Sequence, residues 1–192
     1  MELANLRPLT WIVTVMVVFE AFPMPFTAFT VQLFPDFFMA NIMPFATAYD
    51  RAILLYTILT MIVFSTWIYL AGRNLVRAGY DDLEFTPGAR IWWFAVPVAN
   101  LFKPFQGMRE LWNASHGEQE YTITPPLIAT WWAFWLASRI LGMLVNSLPN
   151  VNMMALAGAA DIGLAIVAIL MIHRVAEAQR RLSPAEFAEV FA

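Results

Sequence analysis

FTPGARIWWFAVPVANLFKPFQGMRELW, residues 85–112, is the stretch that decides how this chain is read. It is too apolar for a loop in water, and Pro97 interrupts it too early for a helix that crosses a bilayer. Its apolar core, residues 89–101, is thirteen residues long. At 1.5 Å per residue that gives about 20 Å of helix against roughly 30 Å of hydrocarbon. Trp92, Trp93 and Phe94 stand beside Pro97 and Asn100; Lys103 and Pro104 follow within a turn, then Arg109, Glu110 and Trp112. Thr86 before Pro87 has the form of a helix cap with proline at the first helical position. The expectation is a Trp-rich re-entrant or interfacial helix pair, residues 87–112, that enters and leaves at one membrane face.

Composition fixes the solvent in which the rest must fold. Of the 192 residues, 60% are hydrophobic and 13% charged, about half the charged fraction of a water-soluble domain. The apolar runs are continuous rather than alternating, which implies spanning helices and excludes an outer-membrane barrel. The length suits a single helical bundle. With no cysteine there is no disulfide frame, thiolate metal site or cysteine nucleophile.

Four spans are expected, at about residues 9–34, 52–71, 127–148 and 153–172. The first is too long for a cleaved signal peptide and lacks a small-residue cleavage pattern. Pro23 and Pro25 predict a kink or break in it just after Glu20. Residues 35–50 read as a short amphipathic interface segment, and Thr57, Thr60, Ser65 and Thr66 in the second span are available to neighbouring helices. The tail, residues 173–192, is amphipathic, and Ser183, Pro184 and Glu186 suggest a capping box opening a last short helix. All of the eleven lysines and arginines except Arg51 and Arg139 fall on one side if the Trp-rich stretch does not cross. That places both termini in the cytoplasm. The fold class is thus an all-α integral membrane protein: four transmembrane helices, the helix pair between spans two and three, and an amphipathic C-terminal helix.

FTPG, WWFAVPVANLFKP and MRELWNAS, with Asn74 and Gly79 upstream and the pair Trp131 and Trp132 downstream, resemble the signature of a bacterial family of small multi-pass membrane proteins catalogued as domain of unknown function 4328. The resemblance covers most of the chain, from the second span to the last helix. It implies this architecture and the bacterial cytoplasmic (inner) membrane. It carries no activity, substrate or cofactor.

Ionisable residues inside a bilayer cost roughly 2.5 to 3.5 kcal/mol each on insertion scales, so they are expected to face the interior and pair. Arg139 lies eleven residues before Asn150 and Asp161 eleven after it, so the two sit at matched depth in an antiparallel hairpin. Glu20 lies eleven residues into the first span, about 16 Å deep. Glu20, Arg139 and Asp161 are therefore expected to form a mid-membrane charge network. Read structurally, it is a guanidinium bridging two carboxylates; read functionally, it is a ligand or proton site. Ala157, Gly158, Ala165 and Ala168 share the face of Asp161 and let another helix come close.

Trp92, Trp93 and Trp112 are read as interfacial anchors ahead of a ligand-stacking cage. Lys103 and Arg109 are solvated interfacial charges or contacts for an anionic lipid headgroup. His116 and His173 have no second ligand at metal spacing, so neither a metal nor another cofactor is expected. No nucleophile, zinc or phosphate-loop motif and no basic stripe for nucleic acid is present, and no catalytic residue is assigned. Two functions stay open: a non-enzymatic accessory or assembly subunit acting through helix association with a membrane partner or its own copies, and a carrier or receptor of a lipid or small molecule at the Glu20, Arg139 and Asp161 site.

The four-span arrangement predicts that single cysteines placed at Gly117 and Ala192 escape an impermeant thiol reagent added to intact cells. Labelling of both from outside contradicts it.

Overall fold

The structure, a computed structural model, describes residues 3–148 and 150–182. The expected capping box at Ser183 lies outside the described residues. Eight α-helices are described: α1 Arg7–Glu20, α2 Pro23–Leu33, α3 Pro35–Phe37, α4 Ala46–Arg77, α5 Ala89–Trp92, α6 Lys103–Ser115, α7 Pro126–Ser147 and α8 Val151–Arg180. Among the described residues four helical runs are long and apolar enough to cross a membrane: Arg7–Leu33, Pro35–Arg77, Pro126–Ser147 and Val151–Arg180.

Local chemistry explains the breaks. α1 stops at Glu20 because Pro23 and Pro25 have no amide to offer the carbonyls of Phe19 and Ala21; Phe22 N–H turns back to Phe19 O at 3.3 Å and α2 starts on Pro23. Residues 35–50 differ from the expected interface segment. Pro35 and Pro44 force a short helix, a π turn at Phe38–Ile42 and a 3-10 turn at Met43–Phe45, and these run directly into α4. With no proline after Pro44, nothing stops α4 until Arg77, so the second helix is longer than residues 52–71. Likewise α8 runs to Arg180 and takes in the first part of the expected tail.

The chain divides into two compact units. The first comprises the described residues of Met1–Val13, Val63–Thr130 and Leu170–Ala192. Its core is dense: Trp67, Ile68, Ala71 and Leu75 from α4, Met108 and Leu111 from α6, and Met171, Ile172 and Val175 from α8 are all buried. The spacings of three and four residues between them, and of seven along α4, are those of a buried stripe on each helix.

The second unit comprises Thr14–Ile62 and Trp131–Ile169. Apart from Trp131 and Trp132 its buried residues are smaller, with Ala157, Ala160, Ala165 and Ala168 along α8, and large apolar side chains such as Phe19, Leu55, Met143 and Ile166 are exposed. That pattern suits helices whose outer solvent is lipid. The expected small-residue face of α8 is used here. A Cβ on Gly158 would lie 2.9 Å from the backbone nitrogen of Pro25, so α2 approaches as closely as glycine permits.

Gly158→Ala must displace the backbone of α2 and is expected to cost about 1–3 kcal/mol in a denaturant titration in detergent. Gly163→Ala meets only the Phe134 ring, which can turn away, and should cost less. Equal stabilities for the two variants contradict this close approach.

Candidate functional site

The signature stretch folds around one buried ion pair in the first unit. Arg90 leaves α5 and Glu110 leaves α6; their side chains are 0% and 6% exposed and meet at 2.5 Å between Nη2 and Oε1. The Glu110 carboxylate also accepts the backbone N–H of Glu84 at 2.6 Å and of Phe85 at 3.2 Å. Arg90 Nε donates to Gly107 O at 3.3 Å, while Nη1 is buried against α4, where a Cβ on Gly72 would stand 2.7 Å from it. Burial pulls the Arg90 guanidinium below its ordinary pKa, and the facing Glu110 carboxylate opposes that pull. Charge-assisted hydrogen bonds thus tie the two ends of a twenty-residue segment together, and Arg90 is a buried structural cation.

A second buried polar cluster lies in the same unit. Gln179 of α8 donates from Nε2 to Ala71 O at 3.0 Å and to Ser115 Oγ at 2.9 Å, and its Oε1 accepts from Asn74 Nδ2 at 3.1 Å. Asn74 completes the set by pairing with Ala4 in both directions, at 2.8 and 2.9 Å. One amide side chain on α8 therefore fixes α4, α6 and, through Asn74, the N-terminal segment. Asn113 holds the following loop by donating to Tyr121 O and Ile123 O at 3.0 and 2.7 Å. The Tyr121 phenol, pushed up to about 12 first by burial and then by its hydrogen bond to Asp82, stays a donor.

Between these clusters the chain turns sharply. After α5 come 3-10 turns at Trp93–Ala95 and Ala99–Leu101, with Val98 between them at φ +66°. Trp92 and Pro97 are exposed, Trp93 and Asn100 half-buried and Pro104 buried. Lys103 reaches Glu84 at 3.2 Å and lies 5.2 Å from the Phe85 ring; Arg109 sits 5.6 Å from the Phe105 ring. Trp112 corrects the expectation of an interfacial anchor. It belongs to the buried stripe of α6 with Pro104, Met108 and Ser115, and stacks on His116 at 4.2 Å.

The second unit holds the three intramembrane charges, arranged otherwise than expected. Glu20 accepts from Thr57 Oγ1 at 2.5 Å, and Asp161 accepts from Ser138 Oγ at 2.5 Å. Asp161 lies within electrostatic reach of both Glu20 and Arg139. Among the described residues, however, no ion pair joins Arg139 to either carboxylate. Its guanidinium is exposed and lies 5.4 Å from the Trp135 ring. The guanidinium bridge is therefore corrected. Depth was matched, but Ser138 occupies the face toward α8, and the next residue points about 100° away around the helix. Glu20 Oε2 is buried without a hydrogen-bond partner. Among the described residues no three His, Asp or Glu side chains converge as a metal site requires.

Sequence reasoning missed Arg90, Ser138 and Gln179. Gln179 had a signal: it stands four residues beyond Val175 and seven beyond Ile172, a polar residue on a buried stripe. Asn74 stands three and seven beyond Ala71 and Trp67 in the same way.

The model of the family described as Domain of unknown function (DUF4328) matches residues 43–177, which takes in the ion pair, α4, α6, α7 and nearly all of α8. No curated protein and no solved structure matches the chain.

Glu110→Leu leaves Arg90 buried without a counter-charge and is expected to cost about 3–5 kcal/mol in detergent unfolding. Adding Arg90→Leu should restore only part of this, since the buried amide of Phe85 still lacks an acceptor, at about 1–3 kcal/mol. Full recovery in the double variant would show that the carboxylate serves Arg90 alone.

Proposed function

The chain belongs to that family, and from this premise we propose a non-enzymatic protein of the bacterial inner membrane, with both termini in the cytoplasm, that works by helix association as an accessory or self-assembling subunit. Four helices long and apolar enough to cross a membrane support the membrane location; the association role is our reading. The observation that supports it is the position of Arg139. It stands eight residues, about 12 Å, from the C-terminal end of α7, too deep for its side chain to reach the headgroups easily. A lone charge at that depth costs roughly 2.5 to 3.5 kcal/mol on insertion scales. Among the described residues it has the Trp135 ring beside it and no ion pair. An acceptor on a neighbouring helix, from a second copy or another membrane protein, relieves that cost.

A second reading, a carrier of a proton or small cationic molecule, is favoured by the buried, unpartnered Oε2 of Glu20 at the break between α1 and α2. Discontinuous spanning helices often place such groups at binding sites.

Native mass spectrometry of gently extracted protein tests both. Association predicts a retained protein mass, and Arg139→Leu should weaken its retention by about tenfold, equivalent to about 1.4 kcal/mol. A monomer carrying only a small molecule, lost in Glu20→Gln and kept in Arg139→Leu, supports the carrier and overturns association.

A further inference from the structure

We infer that residues 91–102 form a shallow lipid-inserting wedge, held at the headgroup level of the bilayer by the exposed side chains of Trp92, Val98, Leu101 and Phe102. These are 67%, 71%, 53% and 45% exposed, in a segment that belongs to none of the four spanning helices. The segment carries no charged residue. Charges bound it on both sides, and both are drawn away from the apolar surface: Arg90 into its pair with Glu110, and Lys103 onto Glu84 and the Phe85 ring. What remains outward is a contiguous apolar loop with Lys103 at its polar rim.

The backbone supports the same assignment. Val98 has φ +66°, in the left-handed region that a β-branched residue adopts only when the surroundings compel it. In a loop facing water, strain spent to present a valine outward has no return; against lipid, the presented surface is the return. Depth follows from the irregular chain. α5 is four residues long and the other elements are three-residue 3-10 turns, so the backbone amides and carbonyls here lack the continuous ladder that shields those of a spanning helix. Hydrocarbon does not tolerate such groups facing lipid, whereas the headgroup region supplies water to them and favours tryptophan. The occupant is therefore the interfacial layer of the same membrane that the adjoining helices α4 and α7 cross. That rests on the membrane assignment and is independent of how Arg139 is used.

The chain has no cysteine, so single-cysteine variants carry one label without background. Val98→Cys, Leu101→Cys and, as a water-exposed control, Glu118→Cys are labelled with an environment-sensitive fluorophore in phosphatidylcholine–phosphatidylglycerol nanodiscs. Positions 98 and 101 are expected to give blue-shifted emission that is quenched several-fold more by a nitroxide near the top of the acyl chain than by one at its end. Position 118 should respond to aqueous iodide alone. Iodide quenching at 98 and 101 equal to that at 118 overturns the wedge. Stronger quenching by the deep nitroxide overturns it in favour of a re-entrant segment, and protection from every quencher in favour of a protein partner. Position 101 keeps the test decisive if substitution at the strained position 98 prevents folding.

Discussion

A carboxylate that serves three donors at once constrains the signature stretch more than any other group. Glu110 neutralises Arg90 and accepts the backbone amides of Glu84 and of the buried Phe85, the second of which would otherwise lack a partner. Buried ion pairs are often no better for stability than apolar pairs of equal volume, because desolvation offsets the Coulomb attraction. Here the comparison is less even, since an apolar substitute cannot accept the two amides. The pair therefore specifies geometry. It fixes where α5 begins relative to α6, and with both ends held, the uncharged residues between them must turn outward through the strained backbone at Val98.

The buried amides of Gln179 and Asn74 extend the same logic through the first unit. They satisfy one another and the groups they touch on Ala4, Ala71 and Ser115, so the polar cluster sits inside an apolar core without an orphan donor among those bonds. The second unit is held differently, by small residues along α8 and by hydroxyl caps on two carboxylates. Its large apolar side chains face outward, as expected where lipid rather than protein completes the packing. Neither unit satisfies every buried group: the first leaves Arg73 Nε, Arg90 Nη1, Gln106 Oε1 and Arg109 Nε without a hydrogen-bond partner, and the second leaves Glu20 Oε2 so, with Arg139 outside any ion pair among the described residues.

How far the sequence could be read depends on which quantity each residue reports. Breaks and the number of long helices were legible because they rest on local rules, with Pro23 and Pro25 ending α1 and hydropathy marking the four runs, whereas the lengths of α4 and α8 were not, because charged residues can continue a helix past its apolar run. Depth was legible too, since a constant rise per residue brings the Ser138–Arg139 step level with Asp161. Azimuth was not. One residue of rotation separates the side chain that meets Asp161 from the one that faces outward, and a hairpin register known to within a residue cannot choose between them. Arg90 was counted only among the basic residues of one side, because burial of a charge depends on a partner twenty residues away, which no local pattern records. Trp112 was assigned by residue type, whereas the stripe that it shares on α6 decided its place. The helical continuity of residues 35–77 was hidden by polar residues that suggested an interface segment.

Hydrogen–deuterium exchange on Glu110→Gln compared with the parent chain addresses the central role of the ion pair most directly, because it reads local order segment by segment. If Glu110 organises the signature stretch, amides in residues 84–102 should exchange about tenfold faster in the variant, a local loss of about 1.4 kcal/mol, while those of residues 151–169 in α8 keep their protection. Unchanged exchange across residues 84–102 would contradict the account.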